Sequence, residues 1–257
     1  MIFDSHCHPQ MAQYDKDRED VISQALKEGV SMICVGTDLE TSRQGIELAQ
    51  KYENIWASVG LHPNDISEYF DISIYQSILE NPKVVAVGEV GLDYYRTPEL
   101  RKQEKQKEVF GQFINLALKH DKPLILHCRD SKAGSIGLAY KDMAEIIGNS
   151  ALHGVVHSFT GSIEDVKKYL ELGFHLGFNG IITFARQYDE MVREVPLNRI
   201  LLETDAPFLT PEPYRGKRNE PAYVVEVAKK IAELKNEPYE KIVGQTTGNC
   251  KKLFGLL

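Results

Sequence analysis

Histidines and carboxylates recur along this chain at spacings that suit metal chemistry. The run FDSHCHPQ at residues 3–10 holds His6 and His8 two residues apart. Side chains two apart on a strand share a face, so both imidazoles can reach one divalent ion. Glu89, within VGEVGLDYY (87–95), is long enough to bridge two ions. His127 in PLILHCRD (123–130) and His157 in VVHSFTGS (155–162) supply a second set of nitrogens. Asp205 in LLETDAPFL (201–209) can bind the first ion and also take a proton from water. Nitrogen and oxygen ligands without thiolate suit Mg²⁺, Mn²⁺ or Zn²⁺, and a catalytic rather than a structural site. Two such ions about 3.5–4 Å apart serve hydrolysis of a phosphate ester or an amide.

The strands that must position these residues are read at 2–6, 31–36, 54–60, 83–89, 123–127, 152–157, 174–179 and 199–204. Most are nearly continuous apolar runs, which suit parallel strands buried on both faces. Helical patterns lie between them at 16–28, 39–52, 99–119 and 162–172, and two more close the chain near 220–235 and 239–254. Strands alternating with helices over 257 residues predict an α/β fold, a (β/α)8 TIM barrel forming a single domain over 1–257. A doubly wound open sheet is the competing reading.

Barrel enzymes place their chemistry at the C-terminal ends of the strands. His6, His8, His62, His127 and His157, five of the eight histidines, fall at such ends, with Glu89 and Asp205 among them. Any one alone reads as a surface or hydrogen-bonded residue. Five at one rim, mixed with carboxylates, would repel or stay unsatisfied unless a cation compensates. Cys7 and Cys128 point away from their histidine neighbours by strand alternation and read as core.

The bulk composition is ordinary for a globular chain, with 42% hydrophobic and 26% charged residues. A net charge of −7 argues against a broad basic face for nucleic acid, though not against a cleft holding metal and a few local arginines. No apolar run approaches the roughly 18 residues of a membrane span. No secretory signal is visible, so the cytoplasm is the expected location. The four cysteines are scattered without CxxC spacing, which argues against disulfides.

Together the stretches DSHCHP (4–9), VGLHP (59–63), VGEVGLDYY (87–95), PLILHCRD (123–130), VVHSFTGS (155–162), LLETDAPFL (201–209) and RGKRNEPA (215–222) resemble the TatD-related metal-dependent deoxyribonucleases of the amidohydrolase-like barrels. The resemblance runs in order over nearly the whole chain. It implies a (β/α)8 barrel with one to three divalent ions that hydrolyses DNA phosphodiesters, as a 3′-to-5′ exonuclease on single strands. It also implies that His6, His8, Glu89 and Asp205 hold one ion, that Glu89, His127 and His157 hold the other, and that Asp205 is the general base. Some members of the family are credited with removing D-amino acids from tRNA, so an aminoacyl-tRNA deacylase or another amidohydrolase-type hydrolase is the alternative activity. True amidohydrolases often bridge their ions with a carboxylated lysine, but the nearest lysine here, Lys83, stands at the wrong end of its strand. A third alternative is a metal-stabilised barrel that only binds.

Four residues are candidates to hold substrate. His62 is either a donor to a phosphate oxygen or the cap of a tight loop. Arg129 offers a bidentate fork for phosphate, or else a rim salt bridge with Asp130. Tyr94 or its neighbour Tyr95 either stacks on a base or packs under its loop. Arg215 stands with Lys217, Arg218 and Tyr214 in TPEPYRGKRN (210–219), a loop suited either to a single strand or to plain solvation. The oligomeric state is not legible.

Overall fold

A computed structural model describes residues 1–132, 138–148 and 150–256. Eight parallel strands run in chain order around one sheet. They are β1 (Ile2–Cys7), β2 (Val30–Val35), β3 (Ile55–Val59), β4 (Val84–Asp93), β5 (Leu124–Arg129), β6 (Gly154–Val156), β7 (His175–Phe178) and β8 (Ile200–Leu202). The helices are α1 (Arg18–Lys27), α2 (Leu39–Lys51), α3 (Ser73–Leu79), α4 (Leu100–His120), α5 (Ala139–Ile147), α6 (Ile163–Glu171), α7 (Asp189–Glu194), α8 (Val224–Lys235) and α9 (Tyr239–Phe254). This is the (β/α)8 barrel that the strand count predicts, and the open doubly wound sheet is ruled out by its closure. Asp205 N–H donates to His6 O at 2.9 Å, and His8 N–H donates to Ala206 O at 2.8 Å, so the first and last strands meet. Among the described residues, no helix is long and apolar enough to cross a membrane.

Three helices, α3, α5 and α7, are absent from the sequence reading. Two are only seven and six residues long, too short to show much periodicity. The helix expected near 220–235 begins at Val224, because Pro221 starts a separate short turn over Pro221–Tyr223. β4 runs four residues past its expected end, to Asp93. Its two glycines suggest a turn, yet Gly91 lies within the strand, and only glycine fits there because a Cβ would lie 2.1 Å from the His127 carbonyl oxygen.

The interior explains where the polar residues stand. Phe3, Ile33, Val35, Val85, Ile125, Val155 and Leu201 form one apolar cluster with Cys250, Leu253 and Phe254 of α9. Thus α9 closes one end of the barrel. Two residues further along the chain, Ile125, Val155 and Leu201 give way to His127 in β5 and to His157 and Glu203 just past the ends of β6 and β8. A register shift between Asp4 and Cys7 lets both Phe3 and His6 face inward, while Cys7 joins the cluster outside the strands. The polar layer therefore lies on an apolar floor that fixes its height.

Candidate metal centre

Glu89 is the hub of this layer. Its Oε1 lies 2.8 Å from His127 Nδ1, 2.9 Å from His157 Nε2 and 3.7 Å from His62 Nε2. Its Oε2 lies 3.4 Å from His6 Nε2 and 3.9 Å from His8 Nε2. One carboxylate thus divides the histidines into two sets, one per oxygen. Asp205 Oδ1 joins the second set, 3.4 Å from His8 Nε2 and 3.7 Å from His6 Nε2. Asp205 has a φ of 57°, in the left-handed region. Asp tolerates that region better than most residues, and the bend carries its carboxylate off the strand end toward the histidines.

Each imidazole has its orientation set from behind. His8 Nδ1 donates to Val35 O at 2.7 Å, which leaves a lone pair on Nε2 toward the centre. His157 turns Nδ1 toward Glu203 Oε1, 3.6 Å away, and Nε2 toward Glu89. His127 turns Nε2 toward Asp93 Oδ2, 3.3 Å away, and Nδ1 toward Glu89. Asp93 is held in turn by Asn64 Nδ2 at 2.8 Å and by the Arg96 N–H at 2.9 Å. Glu203 is buried, accepts the Ser158 N–H at 2.6 Å, and fits only because Gly177 lacks a side chain. A Cβ on Gly177 would lie 2.3 Å from Glu203 Oε2.

The electrostatics call for a cation. Burial pushes the Glu89 carboxyl up, but His157, His6 and His62 hold it well below the usual carboxylate range. Burial likewise raises Asp205, and the His8 hydrogen bond with the charges of His157 and His6 brings it below its ordinary value. Burial lowers His6, with His157 adding to the effect. His157 goes the other way: burial lowers it, and Glu89 and Glu203 raise it well above an ordinary histidine. Buried carboxylates and imidazoles that lean on one another in this way are those a divalent ion satisfies. His6 Nδ1, His157 Nδ1 and Glu203 Oε2 also lack any hydrogen-bond partner among the described residues. Four groups of side chains converge closely enough to share an ion: His6, His8 and Glu89; His6, His157 and Asp205; Glu89, His127 and His157; and His62, Asp93 and His127. The donor set is nitrogen and oxygen throughout and fits divalent metal.

The residues expected to hold substrate are placed unevenly. His62 borders the centre, and its Nδ1 accepts the Asn64 N–H at 3.2 Å. Burial pushes it down to about 3, so it is neutral. Arg129 lies at the rim with its guanidinium 3.9 Å over the ring of Tyr95, and it makes no ion pair with Asp130 among the described residues. Tyr94 is buried and its hydroxyl donates to Asp142 at 2.7 Å, so the ring packs under the loop and is no stacking surface. That corrects the expectation for Tyr94: β4 extends to Asp93, and the exposed ring of the pair is Tyr95. Arg215 stacks 3.7 Å over Phe184 and donates to Thr210 O at 2.9 Å, contacts that brace its own loop. Tyr214 stacks on Tyr223 at 4.0 Å, and Arg218 pairs with Asp17 and Glu220. Asp93 and Glu203 escape the sequence reading as orienting residues, although both are carboxylates at strand ends. Lys83 donates to the carbonyls of Tyr52, Glu53 and Ile55, at the far end of β4 from the centre.

The chain is similar to known proteins over its full length. A family model described as TatD related DNase matches residues 3–255. A Bacillus subtilis protein named uncharacterized metal-dependent hydrolase YabD is 41% identical over 261 residues, covering 99% of each chain. A Citrobacter koseri protein named 3′-5′ ssDNA/RNA exonuclease TatD is 32% identical over 266 residues, again covering 99% of each. The crystal structure of YJJV, a TatD homolog from Escherichia coli K12, superposes with a TM-score of 0.86 at 28% identity, covering 99% of this chain and 98% of that one.

Proposed function

Because the chain belongs to the TatD-related DNase family of metal-dependent hydrolases, we propose that it cleaves phosphodiester bonds of single-stranded DNA from the 3′ end. The observation that carries this reading is the division of five imidazoles between the two oxygens of Glu89, with Asp205 beside His6 and His8. Such a carboxylate suits a pair of ions, and paired ions suit in-line displacement at phosphorus. The Citrobacter koseri relative, named a 3′-5′ ssDNA/RNA exonuclease, supports the substrate class and polarity.

His6, His8, Asp205 and Glu89 Oε2 would hold one ion, and His127, His157 and Glu89 Oε1 the other. When bound, divalent ions supply positive charge for the phosphate oxygens and make water more acidic. The remaining work falls to the chain. Asp205 is the most open of the central carboxylates, with 14% of its side chain exposed against 4% for Glu89, and it takes the proton of the attacking water. His62 accepts the Asn64 N–H at Nδ1, so a neutral ring carries its proton on Nε2. It is therefore a donor to a phosphate oxygen or to the leaving oxygen, and not a ligand. Arg129 holds a neighbouring phosphate. Net, one P–O bond breaks and water adds across it.

One oligonucleotide labelled at the 5′ end in one sample and at the 3′ end in another tests this. It is incubated as single strand and as duplex, with Mg²⁺ or Mn²⁺ and with EDTA. The reading expects early loss of the 3′ label from the single strand, abolished by EDTA. Loss of the 5′ label first would overturn the polarity. Intact DNA with every ion would move the activity to another ester or amide.

A further inference from the structure

Two exposed aromatic rings touch residues that border the centre. Tyr95 is 39% exposed and Phe208 is 45% exposed. Phe208 sits against His8, with ring centroids 6.4 Å apart, and its N–H donates to Asp205 O at 2.8 Å. Tyr95 lies under the guanidinium of Arg129 at 3.9 Å, with Lys132 Nζ 5.0 Å from its ring. Arg129 stands two residues beyond His127 and is paired in register with Asp93.

Their positions in the barrel place them on opposite sides of its mouth. Tyr95 follows β4 and Phe208 follows β8, and the strands run in order from one to eight around the sheet. Four strands apart in an eight-stranded barrel is the opposite side of the mouth. Phe208 has no hydroxyl to account for its exposure, and Tyr95 keeps part of its ring open beside Arg129. The two sides also differ in charge: Tyr95 is flanked by Arg129 and Lys132, whereas Phe208 adjoins the metal-site residues themselves.

We propose that Tyr95 and Phe208 form a two-point stacking clamp, each holding one unpaired base on either side of the bond to be cut. The clamp rests on the nuclease reading above and adds the residues that select the strand. A base offers its face only when unpaired, so the clamp admits a single strand and rejects a duplex. Arg129 and Lys132 meet the phosphate beside the base on Tyr95. With a net charge of −7, the chain has no broad basic face for a polyanion, so stacking adds to the local grip of the centre, Arg129 and Lys132.

The experiment uses the metal-loaded protein and two fluorescein-labelled single strands, one normal and one with abasic sites at its two 3′-terminal positions. Binding is read by anisotropy and cleavage by kcat/KM. Tyr95→Ala and Phe208→Ala are each expected to weaken binding of the normal strand by about 5- to 100-fold, while Tyr95→Phe, which keeps the ring, stays near the parent. On the abasic strand the alanine variants and the parent should be alike, because the stacking partner is already gone. Equal losses on both strands, or no loss on either, would overturn the clamp. Normal-strand binding that shows this pattern without cleavage would sink the nuclease reading and keep the clamp. Failure of the parent protein to bind the normal strand would sink the clamp itself.

Discussion

Nε2 of His6 lies 3.1 Å from Nε2 of His8, and the Nδ1 hydrogen of His8 is committed to the carbonyl of Val35. In the neutral ring the facing nitrogen of His8 is therefore a lone pair. That lone pair can accept the Nε2 hydrogen of His6, or it can bind a divalent ion, which would draw in Glu89 and Asp205 as well. The neutral ring and the ionised carboxylates that an ion requires are already oriented.

Metal removal should thus lower stability as well as activity. An ion present at 100 times its dissociation constant adds about 2.7 kcal/mol. For a chain of this size that corresponds to a fall in Tm of about 5–10 °C on dialysis against EDTA, restored by Mn²⁺ or Zn²⁺. His8→Ala should remove most of that difference. An identical Tm with and without metal in the parent protein would count against a resident ion.

In the proposed reaction Asp205 carries two duties, one as a ligand and one as the proton acceptor. Asp205→Ala should lower turnover by about 10²-fold or more. The far-ultraviolet circular dichroism should stay unchanged, since Asp205 contributes its backbone N–H to His6 O whatever its side chain. The φ of 57° at this position makes Asp205→Asn the better-matched control, because Asn tolerates the left-handed region and keeps the shape without the charge. Full activity in either variant would remove Asp205 from the mechanism.

Glu203 acts on the centre through His157. Its Oε1 is 3.6 Å from His157 Nδ1, its Oε2 has no hydrogen-bond partner among the described residues, and Gly177 leaves the space it occupies. Glu203→Gln should weaken metal binding by about 10- to 100-fold, the usual effect of losing an orienting carboxylate. Supplying more metal should then restore kcat, a recovery not expected of Asp205→Ala. Titration of the apo protein with Mn²⁺, followed by activity, separates the two variants.

How much of this was legible follows from what sequence periodicity can express. His6, His8, Glu89, His127, His157 and Asp205 stand out because each falls near the end of an apolar run in the sequence, although β4 continues past Glu89 and a register shift in β1 breaks simple alternation. Tyr94 and Tyr95 are harder, because their faces depend on where β4 stops, and the glycines of VGEVG resemble a turn. Glu203 and Asp93 act on histidines of other strands, so their roles depend on contacts between β5, β6 and their neighbours. Arg215 has the right chemistry, but its stacking on Phe184 joins residues thirty-one apart, a pairing that no local pattern announces. α5 carries a readable repeat in Tyr140, Met143, Ala144 and Ile147, yet it follows a glycine-rich stretch that suggests a long loop.

The seam where the barrel closes gives the last prediction. Asp4 is fully buried, and its carboxylate accepts the Thr204 N–H at 2.9 Å, the Thr204 hydroxyl at 2.5 Å and the His6 N–H at 3.2 Å. It is therefore a fastener between β1 and the end of β8, the two segments that carry His6 and Asp205. Asp4→Ala would strand these donors away from water, each unsatisfied group costing about 1–3 kcal/mol. Thr204→Val removes only the hydroxyl and should cost less. The seam also sets the His6–Asp205 separation of 3.7 Å, so stability and metal affinity should fall together along the series parent, Thr204→Val, Asp4→Ala. Chemical denaturation in EDTA measures the first, and Mn²⁺ titration measures the second. A large loss of stability with unchanged metal affinity would show that the seam holds the barrel without positioning the centre.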